Sequence, residues 1–336
     1  MEILGTTRLI ALLGDPVAHS LSPAMHNPAF EHYGLDFAYV PLRVPVEGLK
    51  TAMDAIRVFN FRGANVTLPH KTAVLPYLDE VTESARVIGA VNTILNEGGK
   101  LIGTTTDPEG FLECYREHGH SFIGQSVAIL GNGGSARTIA YALLMQDRPS
   151  QVILVGRDLK KSQQLATEIA DRLDLHGSSG ALPAPEAITL ADYASVREEI
   201  QVVVNTTPVG MHPNIDASPL GVDDLMAGQI IYDIVYAPER TRLMRDAEAR
   251  GLQTVGGLGM LVHQGRASFE FWTGIKPDAK MFYASAREKL ARSINEPRPS
   301  FLGRSMKPGS GPSAAASARF SAPSAPSAGK GVSEDP

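Results

Sequence analysis

A single cysteine, Cys114, stands in 336 residues. That excludes a disulfide framework and a cysteine-built zinc cluster, and it fits a reducing cytosol. The chain is therefore expected to be cytoplasmic and to carry no metal site. Long apolar runs are missing as well. Leu9 to Gly14 is too short for a signal or membrane segment, and no basic leader precedes it, so no membrane partner is expected. Positive charge is scarce in the body. The net charge is -5 overall, but from Pro297 onward Arg298, Arg304, Lys307, Arg319 and Lys330 face Glu334 and Asp335. The tail is thus +3 and residues 1–296 carry -8. A body so acidic is a poor nucleic-acid binder, and an anionic ligand must be gripped by a local site.

What is present suits a soluble globular protein: 43% hydrophobic and 20% charged residues. The length allows two domains, since single cores stop growing at roughly 250–300 residues. Leu9–Leu13 reads as a buried strand ended by Gly14-Asp15-Pro16. In the following loop Ser20 and Ser22 lie two apart, with Pro23 suited to a first helical position and Ser22 to an N-cap. Two readings stand beside each other there: a capped helix, or two hydroxyls and helix-start amides gripping a carboxylate. Phe37–Leu42 is a second strand, Glu47–Val58 an amphipathic helix and Val81–Ile88 another, stopped by Gly89. Strands at Val91–Leu95 and Lys100–Gly103 flank a turn, which lets Asn92 and Asp107 converge.

The stretch Gly63-Ala64-Asn65-Val66-Thr67-Leu68-Pro69-His70-Lys71 organises the first half. Alternation in a strand puts Asn65 and Thr67 on one face, with Val66 and Leu68 free to face the core. Pro69 then opens a turn or a helix and carries Lys71 back over the strand's end.

A helix from Gly110 to His118 leads into the second half. Ser126–Leu130 is a buried strand followed at once by Gly131-Asn132-Gly133-Gly134-Ser135-Ala136-Arg137, then by a helix and the strand Gln151–Val155. A glycine-rich turn inside such a βαβ unit is a dinucleotide site, where the backbone approaches the pyrophosphate and the helix start supplies amides. The second strand ends in Gly156-Arg157-Asp158, with Lys161 beyond. Arg157 and Lys161 suit a 2′-phosphate, so NADP is favoured over NAD, although Asp158 either caps the next helix or repels that phosphate. Further strands fall at Val202–Asn205 and Ile230–Val235, and helices at Thr241–Arg250, Leu261–Trp272 and Pro277–Ile294; Gly256–Met260 interrupts the pattern. Of the 40 residues from 297 to 336, 28 are Ser, Pro, Gly or Ala, so an unfolded tail is expected.

These residues resemble shikimate dehydrogenases from Ser20-Leu21-Ser22-Pro23-Ala24-Met25-His26-Asn27 to Trp272-Thr273-Gly274. The shared stretches include Gly63 to Thr67, Pro69 and Lys71, Gly89 to Thr93, Thr106-Asp107, Gly131 to Arg137, Asn205 to Met211, Tyr236, and Gly259 to Val262 with Gln264. The resemblance implies an α/β protein of two domains, an N-terminal substrate-binding one and a Rossmann-like dinucleotide-binding one. The expected bounds are 1–108 and 109–256, with helices at 257–296 returning to the first domain and a tail at 297–336.

By the same resemblance, Ser20, Ser22 and Thr67 hold a substrate carboxylate. Lys71 and Asp107 are the catalytic pair, with Asn92 and Gln264 on the ring hydroxyls. Gly131, Asn132, Gly133, Gly134, Ser135, Ala136, Arg157 and Lys161 bind NADP. Thr206, Ile234, Gly257 and Met260 line the nicotinamide side, and Tyr236 sits between cofactor and substrate. Glu83 belongs to a helix surface. Thr105, Pro108, Gly156 and the run Asn205-Thr206-Thr207-Pro208 depart from the family's usual Asn, Gly, Asn and Asn-Ala-Thr-Ser.

The implied reaction is reversible NADPH-dependent reduction of 3-dehydroshikimate. A free lysine has a pKa of about 10.4, and a nearby carboxylate favours its charged form. Lys71 is therefore expected to act as a charged donor rather than a base. Competing expectations are a quinate/shikimate dehydrogenase using NAD, an enzyme like methylenetetrahydrofolate dehydrogenase, and a non-catalytic sensor of dinucleotide and shikimate-like ligands. The partner is a small molecule in the first reading, and the protein a monomer or homodimer.

Overall fold

Two sheets organise the chain, and the order of their strands decides where the chemistry sits. The computed structural model describes residues 2–175 and 183–295. The tail at 297–336 and most of the loop expected at 173–185 lie outside the described residues.

The first sheet contains β1 (Arg8–Gly14), β2 (Phe37–Arg43), β3 (Gly63–Val66), β4 (Glu80–Val81), β5 (Thr93–Glu97) and β6 (Lys100–Thr104). Its order is β2-β1-β3-β5-β6-β4, with β5 antiparallel to both β3 and β6. The helices α1 (Ser22–His32), α2 (Leu49–Val58) and α3 (Glu83–Ile88) connect these strands. The second sheet is all parallel in the order β12-β11-β10-β7-β8-β9. Its strands are β7 (Ser126–Leu130), β8 (Gln151–Gly156), β9 (Glu186–Thr189), β10 (Val202–Asn205), β11 (Ile230–Asp233) and β12 (Gln253–Gly256). This is the doubly wound order of dinucleotide-binding sheets, with the strand order reversing beside β7. Its continuous apolar strands, such as Val202-Val203-Val204, are buried on both faces, as parallel sheets require.

The remaining helices are α4 (Asp107–Glu117), α5 (Gly134–Ala142), α6 (Leu159–Arg172), α7 (Arg242–Ala249), α8 (Gly257–Thr273) and α9 (Ala279–Asn295). The C-terminal helices pack on the first sheet: Leu258, Val262, Phe269, Trp272 and Phe282 share a core with Ile10, Leu12, Met25, Phe30 and Tyr39. Trp272 locks that return by donating its indole N–H to the Ile94 carbonyl at 2.9 Å.

Several expectations change. Helix α8 begins at Gly257, so Gly256–Met260 starts the helix instead of interrupting it. Ser22 is the first residue of α1 rather than its cap; Leu21 holds the cap position, without a side-chain bond. Leu68 is 71% exposed instead of core-facing, because the ladder stops at Val66 and the chain turns. Strands β4, β9 and β12 escape the sequence pattern, since β4 is two residues long and β9 and β12 are short sheet edges. Glu83 is exposed in the first turn of α3, the helix surface expected for it.

Candidate active site

The turn after β3 places the lysine. The His70 N–H donates to the Thr67 carbonyl at 2.9 Å, which closes a turn through Leu68 and Pro69. The Lys71 carbonyl then accepts from the Val91 N–H at 2.8 Å, tying this backbone to the residue before Asn92. Asp107 opens α4, and Pro108 follows it in the first turn, where a missing N–H leaves no bond unmade. The departure at Pro108 is thus a favourable helix start.

Lys71 Nζ and Asp107 Oδ2 meet at 2.5 Å, 36 residues apart in sequence. The two side chains are 32% and 13% exposed, so the pair is screened from bulk water yet reachable from it.

Asn92 fixes the other half of the carboxylate. Its Oδ1 accepts the backbone N–H of Thr106 at 2.9 Å, and a backbone donor leaves no choice of amide orientation. Its Nδ2 therefore faces Asp107 Oδ1 at 2.8 Å and Thr106 Oγ1 at 2.9 Å. Both carboxylate oxygens of Asp107 thus have a donor, one amide and one ammonium. Gln264 Oε1 is more loosely placed, 3.3 Å from the same amide whose two hydrogens already have closer acceptors.

Gln264 reaches this point because α4 and α8 pack closely. A Cβ on Gly110 would lie 2.7 Å from both Gln264 Cβ and the Met260 carbonyl, so a side chain there would push the helices apart.

Beneath the pair lies a buried polar network that sequence reasoning did not assign. Tyr39 donates its hydroxyl to Asn65 Oδ1 at 2.8 Å, and the Asn65 amide reaches the Asn92 carbonyl at 3.0 Å, Thr93 Oγ1 at 3.0 Å and Ser268 Oγ at 3.1 Å. Thr93 donates to Asn92 Oδ1 at 2.8 Å and meets Ser268 at 2.7 Å. Ser268 sits four residues beyond Gln264, on the same helix face. Burial raises the Tyr39 pKa and keeps the hydroxyl protonated. Ser20 Oγ accepts the Ser22 N–H at 3.2 Å, so the serine pair orders its own loop. Thr67 is half-buried at the end of the same sheet. Behind Tyr39, His26 stacks at 4.7 Å between centroids among Phe30, Phe269, Trp272 and Phe282. Neither ring nitrogen of His26 has a partner, and burial pushes its pKa down to about 3.

The second half presents a different surface. Helix α5 starts after Gly133 with no side chain on its first N–H groups. Nothing lies within 4 Å of where a Cβ of Gly133 or Gly134 would sit. Gly133, Gly134 and Ser135 are exposed, while Ala136 is buried beneath them and Gly131 is half-buried. Bare amides at an exposed helix start fit a pyrophosphate. Asn132 turns away from that opening: its amide donates to the Asp158 carbonyl at 3.3 Å and to Ser162 Oγ at 3.2 Å. It lies 2.8 Å from where a Cβ on Gly156 would stand, so Asn132 fills the space vacated at Gly156. Arg157 is exposed, with no ion pair among the described residues. Asp158 caps α6 by accepting the Lys161 N–H at 3.2 Å, and Lys161 Nζ stands 3.9 Å from its carboxylate. The caution over Asp158 resolves toward the cap.

At the seam, Thr206 donates to the Leu130 carbonyl at 2.7 Å, while Ile234 and Met260 pack on the second core. Tyr236 leaves the second sheet and packs on the core of the first, where burial raises its pKa. Gly257 starts the helix that carries Met260 and Gln264.

Residues 12–94 match the shikimate dehydrogenase substrate binding domain, and residues 257–287 the shikimate 5'-dehydrogenase C-terminal domain. Shikimate dehydrogenase (NADP(+)) of Salinibacter ruber is 44% identical over 277 residues, 81% of this chain and 94% of that one. The chain belongs to the shikimate dehydrogenase family. A crystal structure of a shikimate dehydrogenase in complex with NADP+ superposes at a TM-score of 0.80, with 35% identity over 86% of this chain and 98% of that one. The Thermus thermophilus shikimate 5-dehydrogenase, solved with NADP(H) and shikimate, gives a TM-score of 0.74 at 36% identity, covering 84% and 100%. Within this shikimate dehydrogenase family member, the two matched stretches hold Ser20, Ser22, Thr67, Lys71, Asn92 and Gln264.

Proposed function

We propose that this chain reduces 3-dehydroshikimate reversibly to shikimate with NADPH, using Lys71 and Asp107 as its catalytic pair. The observation that carries the reading is the 2.5 Å ion pair held by Asn92 and overlooked by Gln264. Relatives named shikimate dehydrogenase (NADP(+)) support the substrate and the cofactor.

The cofactor supplies a hydride at its nicotinamide. As the ketone carbon accepts it, negative charge grows on the ketone oxygen. The Lys71 ammonium donates a hydrogen bond to that oxygen and then passes it a proton; being 32% exposed, Lys71 recovers one from solvent. Asp107 keeps the ammonium aimed. Positioned proton transfer of this kind is worth about 10²–10⁴ in rate, and a fixed positive charge at the developing oxyanion adds to it. Ser20, Ser22 and Thr67 hold the carboxylate, and Asn92 and Gln264 the ring hydroxyls.

NADP fits the bare start of α5, held by Gly131 to Ala136, with Arg157 and Lys161 on the 2′-phosphate. Asn132 contributes backbone there, since its side chain is committed to α6. Thr206, Ile234, Gly257 and Met260 border the nicotinamide, and Tyr236 stands between the two ligands. The working division is 1–108 for substrate, 109–256 for cofactor and 257–296 for the returning helices, with 297–336 as the tail. The enzyme acts in the cytoplasm as a monomer or homodimer, in a milieu that suits the buried free thiol of Cys114.

The test is NADPH consumption with 3-dehydroshikimate, run beside NADH and, in reverse, beside quinate. Fast turnover with NADPH and shikimate is expected. Preference for NADH and quinate would reassign the substrate, and binding without turnover would make the protein a sensor.

A further inference from the structure

Asp233 is a carboxylate that no step above uses, and it is fully buried. Burial pushes its pKa up to about 6, against three hydrogen bonds that oppose the shift. Those bonds come from three places. Asn205 Nδ2, at the end of β10, donates to Oδ1 at 3.0 Å. The Val235 N–H, in the turn after β11, donates to the same oxygen at 3.0 Å. Thr241, the N-cap of α7, donates its hydroxyl to Oδ2 at 2.7 Å. Among the described residues no cation pairs with the group, so a buried charge is kept here for its acceptors.

Its partner Asn205 folds a second turn. Asn205 Oδ1 accepts the Thr207 N–H at 3.0 Å and the Thr207 hydroxyl at 2.7 Å. One amide–carboxylate pair thus shapes both strand-end turns, 205–209 and 233–236. The second turn also seats α8: the Ile234 carbonyl lies directly over Gly257, leaving no room for a Cβ there.

We propose that Asp233 is a positioning residue for the nicotinamide side. With Asn205 it fixes the turns bearing Thr206, Ile234 and Tyr236 and, through Ile234, the start of α8. This rests on the function proposed above, but it predicts a binding pattern that turnover does not enter.

Asp233→Asn keeps the Oδ1 acceptor for Asn205 and Val235, and its amide meets Thr241 with the direction of that one bond reversed. Asp233→Ala leaves three buried donors without their acceptor. The readouts are equilibrium titrations with NADPH and with 2′,5′-ADP, a fragment that carries the phosphate end and lacks the nicotinamide. For Asp233→Ala, NADPH binding weakens about tenfold or more, while 2′,5′-ADP binding stays within about twofold of wild type. Asp233→Asn binds both like wild type. If the alanine variant does not fold, Asn205→Ala removes the pair from the other strand and is read with the same two probes. Equal loss of both probes, no loss of either, or an asparagine variant as impaired as the alanine overturns the proposal. Failure of the wild type to turn over 3-dehydroshikimate while this pattern holds would instead sink the proposed reaction and leave the positioning role standing.

Discussion

The two halves keep their functional groups in opposite states. In the first, Lys71, Asp107 and Asn92 are bonded to one another, and Tyr39, Asn65, Thr93 and Ser268 hold them from below. In the second, the α5 amides and Arg157 stand open, without side-chain partners among the described residues. The difference suits two tasks. Chemistry needs groups fixed before the substrate arrives, because misplacing them forfeits most of the gain from orientation. Binding a mobile, highly charged cofactor needs donors whose bonds are not already made. Substitutions in the bonded Lys71–Asp107–Asn92 cluster should therefore strike kcat, and those at the open groups of the second half should strike cofactor binding.

The largest effect is expected for Lys71→Ala, a loss of about 10³ in kcat with little change in KM for either ligand. A variant retaining wild-type kcat removes Lys71 from the chemistry and dissolves the contrast. Arg157→Ala comes next. Losing a charge-assisted bond to the 2′-phosphate should raise KM for NADPH by about 10–100-fold and narrow its advantage over NADH, with kcat unchanged. An undiminished NADPH preference would place the phosphate elsewhere.

Ser22→Ala sharpens the comparison from within the first half. It should raise KM for the carboxylate substrate by about tenfold and leave the cofactor's KM alone. The reverse pattern would move Ser22 out of the substrate site.

The smallest effect on activity is expected at His26, which should show in stability instead. The folded protein holds this ring neutral, with its pKa lowered from 6.5 to about 3 by burial. The unfolded chain takes up the proton first as the pH falls. The stabilisation is therefore complete above pH 6.5 and is lost as the pH drops toward 3, at about 1.4 kcal/mol per pH unit. Urea unfolding across that window should show His26→Phe lacking this slope relative to wild type. Matching slopes in the two proteins would mean that His26 titrates normally.

How much of this was legible in the chain depends on what kind of signal carried it. The four central strands of the parallel second sheet were readable because they are unbroken apolar runs and the glycine turn sits between strand and helix. Lys71 and Asp107 were readable as a pair through resemblance, not spacing, since a separation of 36 in sequence says nothing of distance. The supporting layer was hidden. Thr93 and Ser268 are small polar residues in apolar segments, and only the antiparallel β3–β5 register and the return of α8 bring them to Asn65. Gly256–Met260 read as a break because three glycines weaken a helix, yet Gly257 and Gly259 are there to let α8 pass close to its neighbours. The short strands β4, β9 and β12 offered no period to detect.

Lys71 and Asp107 are expected to act as one unit, and a double-mutant cycle reads this out. Single-turnover NADPH consumption would be measured for Lys71→Ala, Asp107→Ala and the double variant. If the two side chains work together, the double variant is no slower than Lys71→Ala alone. Losses that multiply, each substitution costing as much in the other's presence as in its absence, would contradict the account.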